Sequence, residues 1–174
     1  GNQGEAHAGW FQGKVEALYN EELRQHANKK CEDFFRSSEF DKLDLKRYTN
    51  DGEYAKQFSY GAGWYKLWYI WQRLDDTYGN TWYARWKHIQ YTRWKNDPMR
   101  LLTWEEMIED MSLATGHDLF PFFISLNTSL ERREMGEVIY EGKKVKLSRA
   151  VIPIIEPGNV CLNPIENYKT IKFE

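Results

Sequence analysis

The chain lacks every short motif that carries a complete catalytic or metal-binding centre. No G-x-S-x-G occurs, so the strand-to-helix turn that presents a reactive serine is missing. No phosphate loop and no dinucleotide fingerprint occurs. The four histidines are His7, His26, His88 and His117. No two stand at i, i+4 and none belongs to H-E-x-x-H, the arrangement that sets two imidazoles one helical turn apart with a glutamate to activate water. His26 and His88 read as surface residues within polar helical segments. His117 stands at a helix junction, where an imidazole is expected to bond a free helix-terminal carbonyl.

Cysteine is scarce as well. The two, Cys31 and Cys161, lie far apart in the chain, and no Cys/His spacing suggests structural zinc. They are able to pair only if the fold brings them together, and two buried free thiols are the favoured expectation. Acid pairs, Asp75-Asp76 and Glu105-Glu106, do occur. Neighbours on a helix point about 100° apart, so such pairs read as helix solvation and capping rather than a two-carboxylate site. Asn127-Thr128-Ser129 is a glycosylation sequon of a kind that arises by chance.

No charge of one sign dominates. Lys and Arg total 24 and Asp and Glu 26, a formal net charge of −2. Without a dense basic block, nucleic-acid binding is excluded as the main role. No apolar run approaches the roughly 18–20 residues of a membrane span. Gly1-Asn2-Gln3-Gly4 does not read as a signal peptide, and a leading glycine is common after tag removal, which leaves room for a leader upstream.

Aromatic residues are what the chain has in excess. It holds 8 Trp, 11 Tyr and 9 Phe among 174 residues. That is a length for one domain of ordinary size, and the hydrophobic share of 41% supports a real core. Such rings bury much apolar area while their polar edges still find hydrogen bonds. A tryptophan stripe at helical spacing is most often core, and Trp68 and Trp71 are expected to be mostly buried. The alternative is an exposed platform for sugar.

Helical periodicity dominates up to about residue 135. A first helix is expected from Gly9 to Phe35, with Val15, Leu18, Tyr19, Leu23, Ala27 and Cys31 on one face. Residues 36–59 read as a long polar loop with a turn at Asn50-Asp51-Gly52. A second helix spans Ala62 to Thr77, with Trp64, Leu67, Trp68, Trp71 and Leu74 as its stripe and Gly79 as its stop. A third runs from Asn80 or Thr81 to Asp97-Pro98, with Trp82, Trp86, Ile89 and Arg93 on one face. Thr103-Trp104-Glu105-Glu106 fits a capping box before a helix closed by Gly116. Asp118 caps a short helix through Leu126. Beyond, Glu137–Tyr140 and Lys144–Leu147 flank a hairpin turn, and Ala150–Ile155, Val160–Leu162 and Thr170–Phe173 read as strands. The expected fold class is α+β: four or five helices over 1–134, then a β-rich appendage over 135–174.

One ordered set of motifs stands above this background. Tyr60-Gly61-Ala62-Gly63-Trp64 opens the second helix, and Tyr78-Gly79-Asn80 follows it. Then come the aromatic helix, the T-W-E-E cap and Thr115-Gly116-His117-Asp118-Leu119-Phe120-Pro121-Phe122-Phe123. This order resembles the helical C-terminal half of the gluzincin zinc metallopeptidases, the group that includes aminopeptidase N and the enhancin-like, mucin-directed enzymes. The match covers Tyr60 to Leu126, about two fifths of the chain. The segment from Gly9 to Tyr19 resembles the family's N-E-G-x-A-x-Y helix, and there the third zinc ligand would be Gln12, a neutral and much poorer ligand than a carboxylate.

The resemblance implies a set of roles. Tyr60 falls where the aminopeptidase branch has an oxyanion-stabilising tyrosine, and Gln12, Glu16 and Trp64 would border the same cleft. Gly61 and Gly63 remove bulk so that another element can approach closely. No metal or cofactor is implied within this chain, and zinc enters only if an upstream H-E-x-x-H segment exists. The expected function is a peptidase-like domain, non-catalytic in isolation, that shapes a cleft for peptide or glycopeptide. The other class is a non-enzymatic carbohydrate-binding or protein-interaction module. Either fits a secreted, periplasmic or cell-surface protein.

Overall fold

The computed structural model describes residues 20–79, 81–99, 101–131 and 134–152. Eight helices occur among them, more than the expected four or five. We label them α1 (Glu21–Arg36), α2 (Ser38–Lys42), α3 (Leu45–Asn50), α4 (Gly52–Ala55), α5 (Ala62–Tyr78), α6 (Thr81–Asn96), α7 (Trp104–Thr115) and α8 (Phe120–Ser125). Four short strands join them: β1 (His117–Asp118), β2 (Glu137–Tyr140), β3 (Lys143–Lys146) and β4 (Ser148–Arg149). The class is α+β and mainly helical.

The surplus helices come from the segment read as a loop. Residues 36–59 fold into α2, α3 and α4 because aspartates serve as caps. Asp44 accepts from the amides of Lys46 (3.0 Å) and Arg47 (3.2 Å) at the start of α3. Asp51 accepts from Glu53 and Tyr54, both at 3.1 Å, at the start of α4. Each bond satisfies an amide that has no partner within its helix. Phe40, Leu43, Leu45 and Tyr54 are buried, so these short helices lay down part of the core.

The first helix is also corrected. Asn20 is not helical and α1 begins at Glu21, so no single helix joins Gly9 to Phe35. Two acids, Glu21 and Glu22, fill its first turn, where they suit the positive end of the helix dipole. Val15, Leu18 and Tyr19 lie outside the described residues.

Helix α5 is the centre of the molecule. Leu67, Trp71 and Leu74 of its stripe are buried, and so are Tyr69, Ile70, Gln72 and Arg73. A helix covered on most sides buries more than one stripe. Trp64 and Trp68 pack against the edge of the core, partly exposed, and Trp71 lies inside it, so both Trp68 and Trp71 are mostly buried as expected. One aromatic cluster lies between α5 and α6. Trp71 stands 5.4 Å from Trp86 and 6.3 Å from Trp82, ring centre to ring centre, and Trp82 stacks on Trp86 at 5.9 Å. A second gathers Phe35, Phe40 and Tyr69, with centroids 4.9–5.1 Å apart. The tryptophans thus form core and not a sugar platform at these positions.

Helix α7 starts with one half of the expected capping box, and the Glu106 carboxylate takes the threonine hydroxyl rather than its amide. Thr103 Oγ1 accepts from the Glu106 amide at 3.2 Å, and its hydroxyl lies 3.2 Å from Glu106 Oε1. Gly116 closes the helix at φ 77°. Asp118 then accepts from the Phe120 amide at 3.0 Å as α8 begins. β1 pairs in parallel with β4, His117 opposite Ser148 and Asp118 opposite Arg149. β2 and β3 pair antiparallel, Val138 opposite Val145, around Glu141 and Gly142, which have φ of 50° and 74°. Positive φ at both turn positions matches the twist of a two-residue hairpin. The second hairpin strand therefore sits one residue earlier than expected. Residues 150–152 are not strand; the other expected strands lie outside the described residues.

Candidate functional site

The structure offers a groove of about 420 Å³ between α1 and the chain that leads into α5. Its lining includes Lys30, Asp33 and Phe34 from α1, Glu39 from α2, and Tyr60 and Tyr65. Glu39 Oε1 accepts from the Ser59 amide at 3.0 Å, which ties α2 to the segment before α5 and closes one end. Phe34 and Tyr65 set their rings 6.1 Å apart. Burial pushes the Tyr65 phenol up from its ordinary pKa. Lys29 and Asp33 pair at 3.5 Å on the outer rim, both well exposed. The groove is thus lined by aromatic rings, carboxylates and a lysine.

Tyr60 is fully exposed, at 103% of its reference area. The adjacent Gly61 has φ 81°, a left-handed conformation that side chains rarely adopt. That turn directs the chain into α5 and leaves the Tyr60 ring outside the core. Trp64 does not reach the groove lining; it packs half-buried against the core. Gln12 and Glu16 lie outside the described residues. Of the four residues expected at the cleft, Tyr60 alone is placed at a groove.

Among the described residues no group of three or more His, Cys, Asp or Glu side chains is gathered to hold a metal ion. His26 and His88 are exposed, as expected. His117 stacks against Tyr78 with ring centroids 5.5 Å apart, and its buried Nδ1 has no hydrogen-bond partner. The bond expected from the imidazole to a helix-terminal carbonyl is not made through this nitrogen. Asn127 is also committed elsewhere. Its Nδ2 donates to the Lys42 carbonyl at 2.9 Å, so the sequon amide is part of a structural bond.

Cys31 is buried and its sulfur is engaged in a disulfide, against the expectation of free thiols. Cys161, the one other cysteine in the chain, lies outside the described residues.

Of the acid pairs read as helix solvation and capping, Glu105 and Glu106 sit at the start of α7 and also enter internal ion pairs. Glu105 is buried and pairs with Lys46 Nζ at 2.5 Å, while its carboxylate accepts from the Glu131 amide at 3.1 Å. Burial raises the Glu105 pKa, but Lys46 and the amide outweigh it and hold the group below the ordinary glutamate value. Arg93 donates through Nε to Asp110 Oδ2 at 3.1 Å, donates through Nη2 to Oδ1, and reaches Glu106 Oε2 at 3.3 Å. Asp110 is wholly buried, and that burial pushes its pKa up despite the guanidinium. These bonds fasten α6 to α7. The one signal in the sequence was Arg93 on the same face as Trp82, Trp86 and Ile89, since a charge on an apolar face needs a buried partner.

No family model, no curated protein and no solved structure matches the chain.

Proposed function

We propose that the groove below Tyr60 is a binding cleft for extended peptide or glycopeptide. The chain is then a peptidase-like helical domain of gluzincin type, non-catalytic in isolation. The observation that carries this is the fully exposed Tyr60 side chain on a groove lined by further aromatic rings and mixed charge. A flat ring and a few convergent polar groups are what an extended chain needs for orientation. The order of motifs from Tyr60 to Leu126 supports the peptidase-like part of the reading. Zinc belongs to it only through an H-E-x-x-H segment upstream. The disulfide at Cys31 supports an oxidising setting, such as a secreted, periplasmic or cell-surface protein.

The test is titration of the chain with extended peptides and mucin-type glycopeptides, with Tyr60→Ala as the variant. Tyr60 is fully solvated, so the variant keeps wild-type stability to within about 0.5 kcal/mol. Binding is expected to weaken about tenfold or more, as for a central aromatic contact. Unchanged affinity in Tyr60→Ala overturns the assignment of the groove. Retention of free glycans with no peptide binding favours the carbohydrate-binding module instead.

A further inference from the structure

One charged group of the groove has a fixed place and no counter-ion. Glu39 of α2 is half-buried. Its Oε1 accepts from the Ser59 amide at 3.0 Å, which holds the carboxylate where it is. Among the described residues no lysine, arginine or histidine forms an ion pair with it. Three of the other lining side chains are aromatic. Phe34 is buried and Tyr65 half-buried, with ring centres 6.1 Å apart, and Tyr60 is fully exposed.

The total charge of the groove selects no ligand. Lys30 and Asp33 also line it, and Asp33 pairs with Lys29 at 3.5 Å. Two lysines therefore stand against the two acids Asp33 and Glu39. Nearby Arg36 is tied to Glu32 at 2.8 Å, and the other charges of α2, Asp41 and Lys42, are exposed and do not line the groove. What selects is placement. Lys29, Lys30 and Asp33 are exposed, and both lysines have long stems that keep their heads in water. Glu39 is the one charge of the lining that is half-buried and anchored.

We propose that the groove takes a basic side chain, lysine or arginine, of the bound peptide, with Glu39 as its counter-ion. This rests on the reading of the groove as a peptide cleft and names the side chain it selects. A carboxylate fixed through one oxygen offers the other to an ammonium or guanidinium, and such charge-assisted bonds are about twice as strong as neutral ones. Aromatic faces attract the same cation through their quadrupole. The stem of lysine or arginine is apolar and covers ring surface while its head reaches the carboxylate. An acidic side chain meets Glu39 as a like charge. An apolar one uses the rings but strips water from the carboxylate and gives it no partner.

The experiment is titration of the full chain with four blocked serine–threonine peptides that differ only at one central residue: lysine, arginine, norleucine or glutamate. Blocked termini remove every other charge from the ligand. The lysine and arginine peptides are expected to bind about tenfold or more tightly than the norleucine peptide. Glu39→Gln is the variant, because its amide oxygen still accepts from the Ser59 amide. It is expected to erase the preference while the norleucine peptide keeps its affinity to within about twofold. The comparison among peptides on the wild-type chain stands whether or not the variant folds. Norleucine or glutamate binding as tightly as lysine and arginine overturns the inference and leaves the peptide cleft in place. A preference undiminished in Glu39→Gln also overturns it, since the selecting charge then lies elsewhere. Absence of binding by all four peptides overturns the cleft itself and the inference with it.

Discussion

The ring of Tyr48 lies against Gly63 so closely that a methyl group on the glycine would stand 2.5 Å from Cε1 and 2.7 Å from Cδ1. Tyr48 belongs to α3 and Gly63 to the first turn of α5, so this contact brings the two helices together. The glycine's lack of bulk, legible in the sequence, is what lets another element approach. Gly63→Ala sets two effects against each other. Alanine in a helix is favoured by about 0.8–1.0 kcal/mol. Overpacking a closed contact costs about 1–3 kcal/mol. The clash is with a ring, not a flexible tip, so the expected result is net destabilisation in urea denaturation. Tyr48→Ala in the same chain removes the obstacle, and the double variant should lose less than the sum of the two single changes. Strict additivity would show that the contact is looser than the structure has it.

Arg93 and Asp110 give a second prediction. Asp110 is wholly buried and its main partner is the guanidinium of Arg93. Removing Arg93 strands a buried carboxylate, which typically costs about 3–5 kcal/mol. Arg93→Met is therefore expected to lower the unfolding free energy by that order. Asp110→Asn in the Arg93→Met background removes the stranded charge and should recover part of the loss. A double-mutant cycle with no coupling would show that the pair contributes nothing as a pair.

Much of the helical frame was legible because its signals are local. Gly79, Gly116 and the Thr103 box end or begin helices through backbone groups within four residues of themselves. The hairpin of β2 and β3 was legible for the same reason, through Glu141-Gly142. The three short helices between residues 38 and 55 were misread because polarity outweighed capping. Asp44 and Asp51 each sit two and three residues before the amides they satisfy, a spacing that was there to be counted. The internal ion pairs were not legible. Glu105 and Lys46 meet across α7 and α3, and nothing local in either segment sets that distance. At the groove, motif order singled out Tyr60 alone; Asp33, Glu39 and Tyr65 come from three different helices, and nothing local in any of them sets their meeting.

Trp68 and Trp71 are neighbours on α5 with different surroundings, and this gives a third prediction. Trp71 is fully buried among Trp82 and Trp86. Trp68 is half-buried and meets Tyr65 edge to face at 5.9 Å. Trp71→Ala leaves a large cavity and is expected to cost about 3–5 kcal/mol. Trp68→Ala forfeits only part of a ring's buried area and is expected to cost about 1–2 kcal/mol. Chemical denaturation of both variants checks the order. Equal losses would mean that the Trp68 ring is as enclosed as that of Trp71.

Lys66 gives the last prediction, which concerns pH. Its side chain is fully buried in α5. Nζ donates to the Phe40 carbonyl at 2.5 Å and the Leu43 carbonyl at 2.8 Å, at the C-terminal end of α2. It also lies 4.9 Å from the centre of the Phe40 ring. Burial pulls its pKa down to about 8 from 10.5, while Asp41 and Asp44 pull the other way. Between those values the unfolded chain binds more protons than the folded one, so this group makes stability rise with pH. Below pH 8 both states are protonated and the full penalty of burying the charge is present. From pH 8 to pH 10 the relief from Lys66 amounts to about 2 kcal/mol. The buried tyrosines act in the opposite sense. Burial raises the pKa of Tyr69 above 10.0 and pushes that of Tyr83 up to about 12, so deprotonation in the unfolded state erodes stability above pH 10. The measurement is therefore a difference, wild type minus Lys66→Met, by urea denaturation from pH 7 to pH 10. Lys66→Met loses the two carbonyl bonds at every pH, which shifts the whole curve and leaves its slope untouched. The difference is expected to be flat near pH 7 and to climb in favour of wild type above pH 8. Parallel curves up to pH 10 would show that the ammonium keeps an ordinary pKa where it is buried.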